Sequence, residues 1–208
     1  MRRVNPASET PRCPVCGVHP HLCFCAGFPV FATRTRFVFL QHSQETLKPT
    51  NSARLACRIL SSSSITAWSR TAQPPFPVGT ILLYPSVEAT PLDPLELAES
   101  ALIVIPDGTW SQASRIANVL GKKALQRRTL PLGNASAWSV RLSDDPERIS
   151  SAQAAAMVLR LAGEDAPADF LFGAVAESGR RILSMRGLSE RLPKGAPARP
   201  RDADPAAK

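Results

Sequence analysis

One stretch, residues 101–120, constrains the fold of this chain more than any other. Its first part, residues 101–105, is a short apolar run rich in β-branched residues and bounded by Pro106 and Gly108, which predicts a fully buried strand. Its second part has apolar residues at the spacing of one helix face: Ala113, Ile116, Ala117 and Leu120. Because a buried strand turns directly into a helix, we predict an α/β fold with a mostly parallel sheet flanked by helices.

The turn between this strand and this helix carries one acidic residue, Asp107. Thr109 and Gln112 have the spacing of a capping box, so the helix has an N-cap without the help of Asp107. In open α/β sheets, ligands bind outside the carboxyl ends of the strands. Two roles therefore fit Asp107: a turn former in an Asp-Gly pair, or a functional carboxylate at a ligand site.

Four cysteines lie within thirteen residues near the N-terminus, in the pattern C-x2-C-x6-C-x-C: Cys13, Cys16, Cys23 and Cys25. Zn²⁺ prefers four such ligands in a tetrahedron, and a site closed by four thiolates is structural. His19 and His21 are alternative ligands, and the pattern does not separate zinc from iron. We predict a zinc-binding module over residues 1–30.

The compartment follows from the N-terminus and the apolar runs. The chain starts without the apolar segment of a secretory signal, and no apolar run approaches the roughly 20 residues that span a bilayer. We therefore predict a cytoplasmic protein with no membrane association, where clustered cysteines indicate metal rather than disulfides.

The formal net charge of +8 favours a polyanionic partner such as nucleic acid. A basic run follows the central helix and either contacts phosphates or is a solvated surface: Lys122, Lys123, Arg127 and Arg128. Residues 193–208 are rich in Pro, Ala and charge, which predicts a disordered tail. Residues 31–192 then form the main domain. The chain lacks G-x-G-x-x-G, Walker A and G-x-S-x-G motifs, which argues against dinucleotide, P-loop and α/β-hydrolase sites.

The segment Asp107-Gly-Thr-Trp110 resembles the D-x-T-W signature of the DTW domain family. The resemblance runs from about Cys13 to about Leu161 and includes the cysteine cluster, the segments after three predicted strands and the start of a later helix. Two positions depart from the family pattern. Ser43 stands where the family usually has Pro, and Gln153 stands where it has Glu, so Gln153 keeps a capping role but not a charge.

Members of this family are tRNA-uridine aminocarboxypropyltransferases, distantly related to SPOUT methyltransferases. The resemblance implies a SPOUT-like fold with a C-terminal knot, S-adenosyl-L-methionine as co-substrate and tRNA as partner. It implies transfer of the 3-amino-3-carboxypropyl group to uridine N3, with release of 5'-methylthioadenosine. A SPOUT-type RNA methyltransferase and a non-catalytic zinc-containing RNA-binding protein are the alternatives.

The resemblance also implies roles for individual residues. Asp107 is expected to be the catalytic base. The expected donor-binding residues are Pro85, Ser86, Pro106, Gly108, Thr109, Trp110, Ser150 and Ser151. The expected substrate-binding residues are His42, Glu45, Asn51 and Arg54. The four cations of the basic run join them because of their charge and not because of the resemblance. Trp110 either stacks on a base or packs in the core, and His42 either binds substrate or is structural.

Overall fold

The computed structural model describes residues 11–46, 48, 50–72, 75–98, 102–121, 125–130 and 149–188. Its strands are β1 (Arg36–Gln41), β2 (Ser63–Ala67), β3 (Ile81–Leu83), β4 (Thr90–Pro91), β5 (Leu102–Asp107) and β6 (Gln126–Thr129). Its helices are α1 (Ala53–Ile59), α2 (Pro94–Ala98), α3 (Trp110–Gly121), α4 (Ser151–Leu161) and α5 (Asp165–Met185). Short 3-10 helices cover Pro20–Leu22 and Ser43–Glu45.

The six strands form one sheet in the order β2-β1-β5-β3-β6-β4, and each neighbouring pair is parallel. The predicted parallel sheet is therefore confirmed. β1 and β5 pair along their whole lengths, from Arg36 opposite Leu102 to Gln41 opposite Asp107. Because all strands run the same way, their carboxyl ends meet at one edge of the sheet.

Helices cover both faces of the sheet. On one face, Phe37, Phe39, Ile103 and Ile105 share a core with residues of α1, α4 and α5. On the other face, three strand residues and three residues of α3 form a second, smaller core: Leu40, Val104, Leu82, Ile116, Ala117 and Leu120. The alternation follows from the pleat of each strand, which sends successive side chains to opposite faces.

Two strand predictions need correction. β5 continues through Pro106 to Asp107, whereas the sequence predicted that Pro106 bounds it. Proline lacks an N–H group but its carbonyl still accepts, and this one lies in register with Leu40. β6 was missed because its charged sequence resembles a solvated surface, yet it pairs with β3 and β4.

Several predictions lie outside the described residues: the tail over residues 193–208 and the Lys122 and Lys123 half of the basic run. The cysteine segment shares the larger core, since Cys16, Val18 and Cys25 are buried with residues of α4 and α5. Among the helices described, none is both long enough and apolar enough to cross a membrane.

Candidate functional site

The carboxylate of Asp107 is buried at the carboxyl edge of the sheet, with 3% of the residue exposed. Its Oδ2 accepts hydrogen bonds from Gln41 Nε2 at 3.1 Å and from Asn51 Nδ2 at 2.5 Å. Its Oδ1 accepts one from Ser151 Oγ at 2.7 Å. One side chain thus joins the ends of β1 and β5 to the segments that precede α1 and begin α4. We call these four residues the Asp107 cluster.

The amide of Gln41 is oriented by a neighbour. Thr46 Oγ1 donates to Gln41 Oε1 at 3.3 Å, which leaves the Gln41 nitrogen directed at Asp107. The backbone N–H of His42 also donates to the Asp107 carbonyl at 2.9 Å. Gln41 was absent from the predicted site. Its position as the last residue of β1 was visible in the sequence, but its partner across the sheet was not.

The turn after Asp107 has the predicted capping box. Thr109 N donates to Gln112 Oε1 at 2.8 Å, and Gln112 N donates to Thr109 Oγ1 at 3.3 Å. A Cβ at Gly108 would lie 2.8 Å from the Gln112 Cβ, so this position needs glycine for a close approach. Gln112 Nε2 also donates to Gln44 Oε1 at 2.7 Å, which attaches α3 to the segment after β1.

The second predicted capping box is also present. Ser150 Oγ accepts from Gln153 N at 3.3 Å, and Gln153 Oε1 accepts from Ser150 N at 3.0 Å. The neutral Gln153 therefore completes the capping box, as predicted. With α4 fixed in this way, Ser151 in its first turn reaches Asp107.

An aromatic ring follows the carboxyl end of each of four strands, β1, β2, β3 and β5. His42 follows β1 and stacks with Trp68, which follows β2, with ring centroids 5.8 Å apart and planes 22° apart. Tyr84 follows β3 and contacts Trp110 after β5, with centroids 6.0 Å apart. All four residues are half-buried. Trp68 and Tyr84 were not in the predicted site, because each is a lone aromatic at the end of a short strand.

The segment between β1 and α1 has a buried charge. Glu45 is fully buried, and its Oε1 pairs with Lys48 Nζ at 2.6 Å. Arg54, predicted to bind substrate, donates to the carbonyls of Lys48 and of Pro14, the latter at 3.0 Å. Burial lowers the pKa of Arg54, although the nearby carboxylates of Asp107 and Glu45 act in the opposite direction. Arg54 therefore links this segment to the cysteine module.

The described half of the basic run is held by protein groups. Arg127 donates to Ser86 Oγ at 3.1 Å and to the Ala117 carbonyl at 3.0 Å. Arg128 forks onto the Glu96 carboxylate, and this hydrogen bonding lowers the pKa of Glu96 and raises that of Arg128. A phosphate-binding role for these arginines stays a prediction. To bind a phosphate, each arginine would have to release or share the protein groups that it now contacts.

The four cysteine sulfurs converge, and all lie within 4.8 Å of one another. Cys13 Sγ is 3.5 Å from Cys25 Sγ, and Cys23 Sγ is 3.6 Å from Cys25 Sγ and 3.7 Å from Cys16 Sγ. A tetrahedron with metal–sulfur bonds of about 2.3 Å places its sulfurs about 3.8 Å apart, so the cluster fits a Zn²⁺ ion. Burial raises the pKa of Cys16 and Cys25, and a metal ion replaces their protons on binding.

The cysteine module docks on α1 and α5. Ser178 Oγ donates to the Cys16 carbonyl at 3.4 Å, and Arg181 donates to the Leu22 carbonyl. The Arg181 guanidinium also lies 4.6 Å from the centre of the Phe24 ring, a cation–π contact. The module is thus held against the domain by hydrogen bonds as well as by its share of the core.

These features define an α/β protein with a buried carboxylate at the carboxyl edge of a parallel sheet and a four-thiol site docked on its last described helix. The DTW domain model matches residues 10–183, and the chain belongs to the DTW domain family. The family resemblance of the D-x-T-W segment is confirmed.

Two relatives extend this result. The chain is 27% identical over 177 residues to tRNA-uridine aminocarboxypropyltransferase 2 of Macaca fascicularis, a match that covers 76% of the chain and 58% of the relative. The chain thus spans less than two thirds of that relative's length. It is also similar to the solved structure of the SAM-dependent rRNA:acp-transferase Tsr3 from Vulcanisaeta distributa, with a TM-score of 0.54 and 24% identity over 76% of this chain and 82% of the other. This likeness shows a shared fold.

Proposed function

We propose that the protein transfers the 3-amino-3-carboxypropyl group of S-adenosyl-L-methionine to N3 of a uridine in tRNA and releases 5'-methylthioadenosine. Family membership and the activity named for the macaque relative support this class of reaction. The Tsr3 relative is named for rRNA, so the RNA class is the part of the proposal that most needs a direct test.

The observation that carries the proposal is the order of three adjacent strands, β1-β5-β3. The residues expected to bind uridine follow β1, beginning with His42. The donor segment Pro85 and Ser86 follows β3, and Asp107 ends β5 between them. The contact of Tyr84 with Trp110 and the bond of Ser151 to Asp107 draw the other donor residues to the same edge. The order of the strands therefore supports a carboxylate between the two segments that we propose to bind the reactants.

The transfer forms a bond between uridine N3 and the carbon next to the donor sulfonium, and it breaks the bond from that carbon to sulfur. The electron pair of the broken bond stays on sulfur, which becomes the neutral thioether of 5'-methylthioadenosine. The N3 proton must leave, and a positioned base is typically worth about 10²–10⁴-fold in rate. Asp107 accepts three hydrogen bonds within the protein, whereas a carboxylate has about four lone-pair sites. We assign the remaining site to uridine N3–H.

We also propose that the cysteine cluster holds one structural Zn²⁺ ion, because four thiolates leave no coordination position for a substrate. The SPOUT-like topology and its C-terminal knot remain part of this proposal, inferred from the family.

Product analysis tests the reaction. The purified protein is incubated with tRNA and S-adenosyl-L-methionine, and the small-molecule products are identified by mass. Release of 5'-methylthioadenosine with a tRNA heavier by one aminocarboxypropyl group supports the proposal. Release of S-adenosylhomocysteine indicates a methyltransferase, and RNA binding without consumption of donor indicates a non-catalytic protein. A ribosomal RNA fragment in place of tRNA decides the RNA class.

A further inference from the structure

We propose that the stacked pair His42–Trp68 is a binding site for an unpaired base of the RNA substrate. The proposal rests on the proposed function only in taking RNA as the ligand. The site lies at the carboxyl edge of the sheet, on the β2 side of the Asp107 cluster, away from the donor segment that follows β3.

The backbone fixes where this pair stands. Trp68 N donates to the Gln41 carbonyl at 2.8 Å, so Trp68 continues β2 alongside β1. Ala67, Gln41 and Asp107 lie side by side across three strands. With about 4.8 Å between neighbouring strands, the β2 and β5 positions are about 10 Å apart. A base held by Trp68 would therefore be a near neighbour of the base that reacts.

The orientation of the His42 ring is also fixed. Its Nδ1 accepts a hydrogen bond from Gln44 N at 3.3 Å, and its backbone N–H donates to the Asp107 carbonyl. The ring packs on Trp68, so the two rings hold each other in place. Both residues are half-buried, so the pair is partly open to solvent at the sheet edge. Rigid, part-exposed rings are the platforms on which unpaired RNA bases stack.

Packing alone does not account for a tryptophan at this position. Trp68 contacts the smaller core at its margin, and its Nε1 is buried without a hydrogen-bond acceptor in the described structure. An unsatisfied buried donor is unfavourable, and phenylalanine, which has no N–H group, would avoid that cost. Indole has a larger ring face than phenyl, and stacking on a base uses that face.

The charge beside the pair fits the same ligand. Arg70 follows Trp68 by two residues, is exposed, and forms no ion pair with any residue that the structure describes. Proteins that bind single-stranded nucleic acid combine aromatic platforms with cations that follow the backbone. We assign the phosphate of the stacked nucleotide to this exposed arginine, two residues after Trp68 in the chain.

The test measures binding of a labelled single-stranded oligouridylate to the full-length protein without donor. Trp68→Leu should weaken binding roughly 5- to 150-fold, because base stacking on one aromatic residue contributes that much affinity. Trp68→Phe should weaken binding by a smaller factor than Trp68→Leu, because a phenyl ring still stacks but has a smaller face than indole. Phe76→Leu is the matched control, since Phe76 is a half-buried aromatic residue on the same core cluster. Affinity for S-adenosyl-L-methionine should stay unchanged in all three variants, which separates an RNA base from the adenine of the donor.

Equal oligouridylate affinity for Trp68→Leu and the wild type would overturn the proposal, as would a loss of donor affinity alone. A second measurement does not depend on the stability of Trp68→Leu. In a protein with Trp110 and Trp138 changed to Phe, Trp68 is the remaining tryptophan of three, and oligouridylate should quench its fluorescence. Absence of quenching at saturating RNA also refutes the stacking site. If Trp68-dependent binding is found but no transfer product forms, the proposed reaction fails while the base site stands.

Discussion

Replacing Asp107 by Asn tests two roles of the buried carboxylate: stabilising the fold through the hydrogen bonds of the Asp107 cluster, and acting as the base. The three hydrogen bonds to Asp107 are charge-assisted, and such bonds contribute about 1.5–3 kcal/mol each, against about 0.5–1.5 kcal/mol for neutral ones. An Asn side chain preserves all three contacts. Its oxygen accepts from Gln41 and Asn51, and its amide nitrogen donates to Ser151 Oγ, which reverses its role. The expected loss is therefore about 1 kcal/mol per bond, or roughly 3 kcal/mol in the free energy of unfolding.

Asp107→Ala should be far more damaging than Asp107→Asn. It leaves the buried amides of Gln41 and Asn51 and the half-buried hydroxyl of Ser151 without their acceptor. Each unsatisfied buried donor is unfavourable by about 1–3 kcal/mol, so the two amides alone account for about 2–6 kcal/mol, a large part of the whole stability of a typical domain. Asp93→Asn is the matched control, because Asp93 is exposed and its Oδ1 accepts from Leu95 N, a capping bond that Asn makes as well.

Two measurements decide the outcome for Asp107. Urea unfolding at neutral pH gives the stability differences, and single-turnover transfer with saturating donor and tRNA gives the chemical step. If Asp107 removes the N3 proton, Asp107→Asn lowers the single-turnover rate about 10²–10⁴-fold while the protein remains folded. A normal rate would show that Asp107 is not the base. An unchanged free energy of unfolding would show that its three hydrogen bonds do not stabilise the fold. Both results together would mean that Asp107 is only a turn residue.

Further predictions follow from the metal site, the α3 turn and the β6 ion pair. Cys16→Ser should lower zinc from about one ion per chain and loosen the cysteine module, measured by elemental analysis and limited proteolysis; purified wild-type protein without metal would contradict this. Gly108→Ala should destabilise the protein by about 1 kcal/mol because it displaces the capping glutamine, whereas Gly173→Ala, on an open face of α5, should not destabilise it. Arg128 lowers the pKa of Glu96, so this pair stabilises the fold above the ordinary glutamate pKa, and the contribution is lost as the pH falls through the lowered value. Glu96→Gln should therefore lower the urea midpoint more at pH 7 than in acid, and an equal shift at both would refute the pairing.

Local patterns in the sequence predicted the centre of the molecule correctly. The apolar run before Asp107 and the helical spacing from Ala113 to Leu120 are properties of neighbouring residues, and both elements form as expected. The two capping boxes follow from a spacing of three residues, and their hydrogen bonds are present. The four cysteines lie within thirteen residues of one another in the chain, so their convergence in space was also predictable from a local pattern.

Long-range partners were beyond the reach of these patterns. Arg127 and Arg128 were expected either to contact phosphates or to be solvated, but they form hydrogen bonds with Ser86 and Glu96, more than thirty residues earlier in the chain. The family resemblance predicted that Arg54 binds substrate, whereas its hydrogen bonds join Pro14 to Lys48, a link that no local spacing encodes. That substrate role stays a prediction.

The docking of the cysteine module has a consequence for the order in which the molecule is made. All four thiols are encoded between Cys13 and Cys25, so this segment has a complete ligand set as soon as it leaves the ribosome. Its hydrogen-bonding partners on α5 come much later: Arg181 is 159 residues after Leu22, and Ser178 is 162 residues after Cys16. At about 5–20 residues per second, synthesis separates the two events by roughly 10–30 seconds. Cys16 and Cys25, which the folded protein buries, are therefore exposed to oxidants for that interval, and binding of the proposed Zn²⁺ ion would protect them during synthesis.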